Sequence, residues 1–136
     1  MNSQRIFVLW MVLFFSVKMQ AQTALAINEM EETYKACLKI KPDSNNCSKT
    51  FLNQMDSMLN VVFNKVVASN PSDKKSELLK EQLSWSKKKA EFFKKQEETF
   101  VYNLKDGIWT KDMIRITYQQ KSDFLLKRIR VLLKKI

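Results

Sequence analysis

The stretch Phe51-Leu52-Asn53-Gln54-Met55-Asp56-Ser57-Met58-Leu59-Asn60-Val61-Val62-Phe63-Asn64-Lys65-Val66-Val67-Ala68-Ser69-Asn70-Pro71-Ser72-Asp73 decides how the chain folds. Phe51, Leu52, Met55, Leu59, Val62, Phe63 and Val66 recur at intervals of three and four, the spacing of one helix face. No alternation of period two interrupts them, so a strand is not expected. The run then stops at Asn70-Pro71. Asn70 reads as a cap for a following helix, Pro71 suits a first helical turn, and Asp73 favours the positive helix end.

Working outward, helix breakers are scarce. Pro42, Pro71 and Gly107 are the only prolines and glycine in the 136 residues. They separate four segments, each expected to be helical. The first runs from about Ala24 to Ile40, the second from about Cys47 to Ser69, the third from about Pro71 to Asn103, and the fourth from near Thr110 to the end. On the third, Leu78, Gln82, Trp85, Phe92 and Thr99 form one stripe. Leu79, Leu83, Ala90, Phe93 and Phe100 form its neighbour, and together they predict a broad buried face. On the fourth, Ile114, Phe124, Leu125, Ile129, Leu132 and Leu133 form the apolar side. Lys127, Arg128, Arg130, Lys134 and Lys135 gather where positive charge suits the helix dipole. The expected fold is all-α: a small antiparallel bundle of about four helices.

Residues 1–21 read as a secretory signal peptide. Arg5 supplies the positive start, and Ile6 to Val17 is an apolar run broken only by Ser16. That run is shorter than the ~20 residues a membrane span needs, so no stable span is expected. Cleavage is placed after Ala21, with Ala24-Leu25-Ala26 as a second site. An uncleaved signal anchor is the alternative. Residues 22–136 then form a single domain, exported to the periplasm or the medium of a bacterium. Loss of Arg5 and Lys18 takes the formal charge from +10 to +8. Such a charge suits anionic lipid, acidic polysaccharide, nucleic acid or an acidic protein.

Cys37 and Cys47 both lie in the exported part. Export favours a disulfide between them, and the turn signal Lys41-Pro42-Asp43 allows their approach. A loop this short should stabilise the fold by roughly 2–3 kcal/mol through the unfolded state. There is no C-x-x-C, so a structural bond is expected rather than a redox centre.

The chemistry available is limited. The chain contains no histidine, which removes the commonest general base and the usual zinc ligand. One glycine cannot build a phosphate-cradling loop, and no calcium-loop pattern occurs. Neither an enzyme nor a cofactor or metal site is expected. Glu29, Glu31 and Glu32 in the first segment and Glu97 and Glu98 in the third read as surface acids. Lys87-Lys88-Lys89, Phe92, Phe93, Lys94 and Lys95 interleave basic and aromatic residues. The spacing predicts a wet lysine face and a phenylalanine core face, so no nucleic-acid partner is expected. Trp109, beside Gly107 and Ile108, is a candidate partner contact or a cap on the bundle end.

Asp56-x-x-Leu59-Asn60 is followed by Phe63 and Val66, then by Leu78 or Leu79, Gln82, Trp85 and Lys89. This pattern resembles the LprI-like lysozyme inhibitor N-terminal domain family, whose motifs are Asp-x-x-Leu-Asn-x-x-Tyr and Leu-x-x-x-Gln-x-x-Trp followed by Arg. A Cys-bearing helix precedes the first motif in that family, and its last helix carries Arg followed by Leu, as Arg128, Arg130 and Leu132 do here. The likeness spans about Glu29 to Leu133. Phe63 stands in place of Tyr, Lys89 in place of Arg, and Phe93 where many members have a further Cys. The resemblance implies a non-enzymatic binding module that blocks lysozyme or another cell-wall hydrolase, with Glu29, Glu31 and Glu32 as an acidic patch for a basic partner. The residues by themselves leave a second reading open, an envelope-associated protein whose Lys-rich faces bind anionic lipid or polysaccharide. Asp56, Asn60, Gln82, Trp85, Lys89 and Arg128 are expected to form a polar cluster that fixes helix register.

Overall fold

A computed structural model describes residues 2–42, 45–105 and 111–136. It contains four helices, α1 (Asn2–Ile40), α2 (Asn45–Ser69), α3 (Ser72–Lys105) and α4 (Lys111–Leu133), and no strand among the described residues. The fold is the expected all-α bundle. The breaks at 106–110, including Gly107, Trp109 and the expected cap Thr110, lie outside the described residues.

The first helix is longer than the segment expected from about Ala24 to Ile40. α1 runs as one rod from Asn2, through the predicted cleavage point, to Ile40. No proline or glycine occurs between those residues to interrupt it.

Cross-helix bonds fix the directions. Lys65 of α2 donates to Thr23 of α1 at 3.0 Å, and Tyr34 of α1 meets Ser48 of α2 at 3.1 Å, so α1 and α2 are antiparallel. Gln82 of α3 meets Arg128 of α4, while Glu97 meets Lys121, so α3 and α4 are antiparallel too. Asn70 after α2 bonds the Lys135 carbonyl after α4 at 3.0 Å, which makes α2 and α4 parallel.

The core lies between α2 and α4, the most closely packed pair. Met55, Val62 and Val66 meet Leu125, Ile129 and Leu132 there, all fully buried. Each such side chain stabilises the fold by ~1.5–3 kcal/mol relative to exposure. α1 closes one flank of the pair with Ile27 and Tyr34. The Tyr34 ring stacks on Phe51 with centroids 4.5 Å apart. Below that stack, the Cys37–Cys47 disulfide joins α1 to α2 with Cα atoms 5.9 Å apart.

α3 covers the other flank, chiefly against α4. It is a peripheral helix, and this overturns the predicted broad buried face. Leu78 is buried, but Leu79 and Leu83 are 55% and 62% exposed, and Ala90 and Thr99 are also on the surface. Phe93 and Phe100 of the second stripe are half-buried, so each stripe is covered only in part: the bundle supplies no neighbour for Leu79, Leu83, Ala90 and Thr99.

Asn70 also departs from its expected role. Its side-chain amide donates to the Val66 carbonyl at 2.8 Å and to Lys135 O at 3.0 Å, so it closes the end of α2 rather than opening α3. The first turn of α3 is instead closed by Lys74 N–H on Pro71 O at 3.1 Å.

Candidate functional site

The α3–α4 seam is built of cations, aromatic rings and acids rather than aliphatic side chains. The α4 residues Ile114, Thr117, Tyr118, Lys121, Phe124 and Arg128 are spaced three and four apart, so they share one helix face. Phe124 stacks on Phe92 at 4.5 Å and on Trp85 at 5.6 Å between centroids.

Arg128, 7% exposed, closes the inner end of this row. Its Nε and Nη2 donate to Gln82 Oε1 at 3.1 and 2.9 Å, and its Nη1 donates to Glu81 at 2.8 Å. The guanidinium also lies 5.6 Å from the Trp85 ring. Lys135 donates to the other oxygen of Glu81. Lys135, then Arg128, hold the Glu81 carboxyl below the usual carboxylate range.

A second group lies further along. Lys89 of α3 pairs with Asp56 of α2, tying the outer helix to the central pair. Its ammonium sits 5.4 Å from the Phe93 ring, and Lys121 lies 4.9 Å from the same ring. Lys121 is buried at 6% exposure and donates to Glu97 at 2.7 Å. A cavity of about 280 Å³ opens beside it, lined by Glu97, Phe100, Ile114, Thr117, Tyr118 and Lys121.

The residues singled out in the sequence therefore fall into two contacts. Gln82 and Trp85 converge on Arg128, and Asp56 meets Lys89. Asn60 joins neither. It is exposed, and its amide turns back to the Asp56 carbonyl of its own helix at 3.3 Å. Its expected place in a buried cluster is corrected accordingly: Asn60 lies on the solvent side of α2. Trp109 lies outside the described residues.

Of the three acids of α1, two are paired and Glu29 is exposed with no ion pair among the described residues. Glu31 faces Arg130 of α4 at 3.4 Å, and Glu32 pairs with Lys35 at 2.7 Å. Lys35 holds the Glu32 carboxyl below its ordinary range. Lys121 and Glu81 were not singled out by motif. The signal for Lys121 was its place on the aromatic face of α4, between Tyr118 and Phe124.

Among the described residues, no group of His, Cys, Asp and Glu is arranged to hold a metal ion. None of the described helices is long and apolar enough to cross a membrane. Compared with known proteins, the chain matches no family model, no curated protein and no solved structure.

Proposed function

We propose that the protein is an exported, non-enzymatic helical module whose α3 outer face binds anionic lipid surfaces. The observation that carries this reading is how α3 sorts its cations. Lys89, on the inner side, is taken up by Asp56. Lys80, Lys87, Lys88 and Lys95 are exposed and form no ion pair among the described residues. Lys80 and Lys87, like Lys88 and Lys95, are seven residues apart, which keeps each pair on nearly one line of the helix. The two lines lie about 80° apart around the helix, with the exposed Glu91 between them, and together run about 22 Å along it.

Leu79 and Leu83 stand exposed beside these lysines. Basic residues adjoining apolar ones suit the boundary between lipid headgroups and acyl chains. Each lysine near such a surface contributes about 1 kcal/mol, and that contribution weakens as salt rises. An acidic polysaccharide would use the lysines but gain nothing from the leucines.

The test is cosedimentation with vesicles of phosphatidylglycerol and of phosphatidylcholine. Binding to the first, absent from the second and weakening between low and moderate salt, supports the reading. Equal binding to both, or to neither, contradicts it.

A second reading, inhibition of a cell-wall hydrolase, draws support from the meeting of Asp56 with Lys89 and of Gln82 and Trp85 with Arg128, because these are the residues of the LprI-like pattern. The pairing of Glu31 with Arg130 and of Glu32 with Lys35 offsets two of the three acidic charges that a basic hydrolase would meet, and leaves Glu29. Dose-dependent inhibition of lysozyme that survives moderate salt would favour this second reading.

A further inference from the structure

We propose that the cavity at the α3–α4 seam is a binding site for a medium-chain carboxylate. Its head group bonds the Lys121 ammonium in place of Glu97, and its tail lies against Phe100, Ile114 and Tyr118. This site is separate from the outer lysine row of α3.

The two buried cations of the seam are held in different ways. Arg128 is fixed by partners that are themselves fixed: Gln82 takes two of its bonds, and Glu81 is shared with Lys135. Lys121 has three N–H donors to satisfy. Among the described residues its oxygen partner is Glu97, and the rest of its surroundings include the Phe93 ring face. Glu97 is 68% exposed along its side chain while that of Lys121 is 8% exposed. Among the described residues, Glu97 forms no other ion pair. A buried cation costs too much to leave without an oxygen acceptor, so its carboxylate partner can be exchanged only for another acceptor. An outside carboxylate meets that condition.

The shape fits an apolar tail. The cavity measures about 280 Å³, close to the lower end of ligand pockets at ~300 Å³. Lys121 stands at its bundle-ward end. Ile114 lies seven residues away on the same α4 face, a reach of about 10 Å. That length suits an eight-carbon acid rather than a long acyl chain. Phe100 and Tyr118 supply the walls.

The test is calorimetric titration of the purified, oxidised protein with octanoate, with octanol and octylamine as controls. Octanoate should bind, and the alcohol and the amine should not. Glu97→Gln removes the competing charge from an exposed position and should tighten octanoate binding about fivefold. Lys121→Met, with its helical circular dichroism checked, should weaken binding more than tenfold. Absence of octanoate binding, equal binding of octanol, or an unchanged or weakened affinity in Glu97→Gln would overturn the proposal.

Discussion

Arg128 grips a single atom of Gln82, the Oε1 oxygen, through two nitrogens, Nε at 3.1 Å and Nη2 at 2.9 Å. Its third contact reaches Glu81 at 2.8 Å, so one guanidinium spans neighbouring α3 residues from a buried position on α4. A lysine cannot reproduce that fork, because its ammonium is a compact point charge. Arg128→Lys should therefore destabilise the protein by about 1–3 kcal/mol. Urea unfolding followed by circular dichroism checks this. A midpoint equal to that of the wild type would show that the fork carries no stability.

Glu81 makes stability depend on pH. Lys135 and Arg128 depress its folded pKa below the unfolded value of ~4.3. A depressed carboxyl contributes stability that is fully present above the unfolded pKa. That contribution is lost as pH falls from there through the folded pKa. Its side chain is 38% exposed, so solvent and salt screen the effect. Melting temperatures of wild type and Glu81→Gln should differ at pH 7 and converge as the pH drops below about 4. A gap that stays constant across that range would contradict the assignment.

Asn70 joins the ends of two parallel helices through one amide, bonding Val66 O and Lys135 O. Asn70→Ala leaves both carbonyls without this donor and should cost about 1 kcal/mol. Hydrogen exchange should quicken at the C-terminal ends of α2 and α4 together. Loss of protection in α2 alone would show that the link to α4 has no weight.

Reduction of the Cys37–Cys47 bond should lower stability by roughly 2–3 kcal/mol. The bond fastens α1 to α2, with Cys47 buried in the core cluster and Cys37 packed against it, and the α2–α4 core residues lie outside the loop from 37 to 47 that it closes. The reduced protein should therefore keep most of its helical signal at 25 °C and unfold at lower denaturant. Complete loss of helix on reduction would place the bond at the centre of the fold instead.

Much of this architecture is legible in the residues. Pro42 and Pro71 mark two connections because proline cannot continue a helix, and Met55, Val62 and Val66 mark the inner face of α2. Gln82, Trp85 and Arg128 are polar or amphipathic residues on otherwise apolar stripes, which is the pattern of a side chain that has a partner. Periodicity does not say which residues of a stripe meet a neighbour, and so Leu79 and Leu83 read as core yet face solvent. Lys121 was hidden for the opposite reason. Lysine is almost never buried unless paired, and its partner Glu97 lies 24 positions away on another helix. Asn70 fits either helix end by residue type, and the Lys135 carbonyl that decides its direction is distant in sequence.

The central claim is that the outer face of α3 binds anionic lipid, and charge reversal there tests it most directly. The measurement is partitioning onto phosphatidylglycerol vesicles by wild type and by the triple variant Lys80→Glu, Lys87→Glu, Lys88→Glu. These lysines are exposed and unpaired among the described residues, so the variant should fold with unchanged circular dichroism. At about 1 kcal/mol per lysine, partitioning should fall by two orders of magnitude or more. A folded variant that partitions as the wild type does would contradict the account.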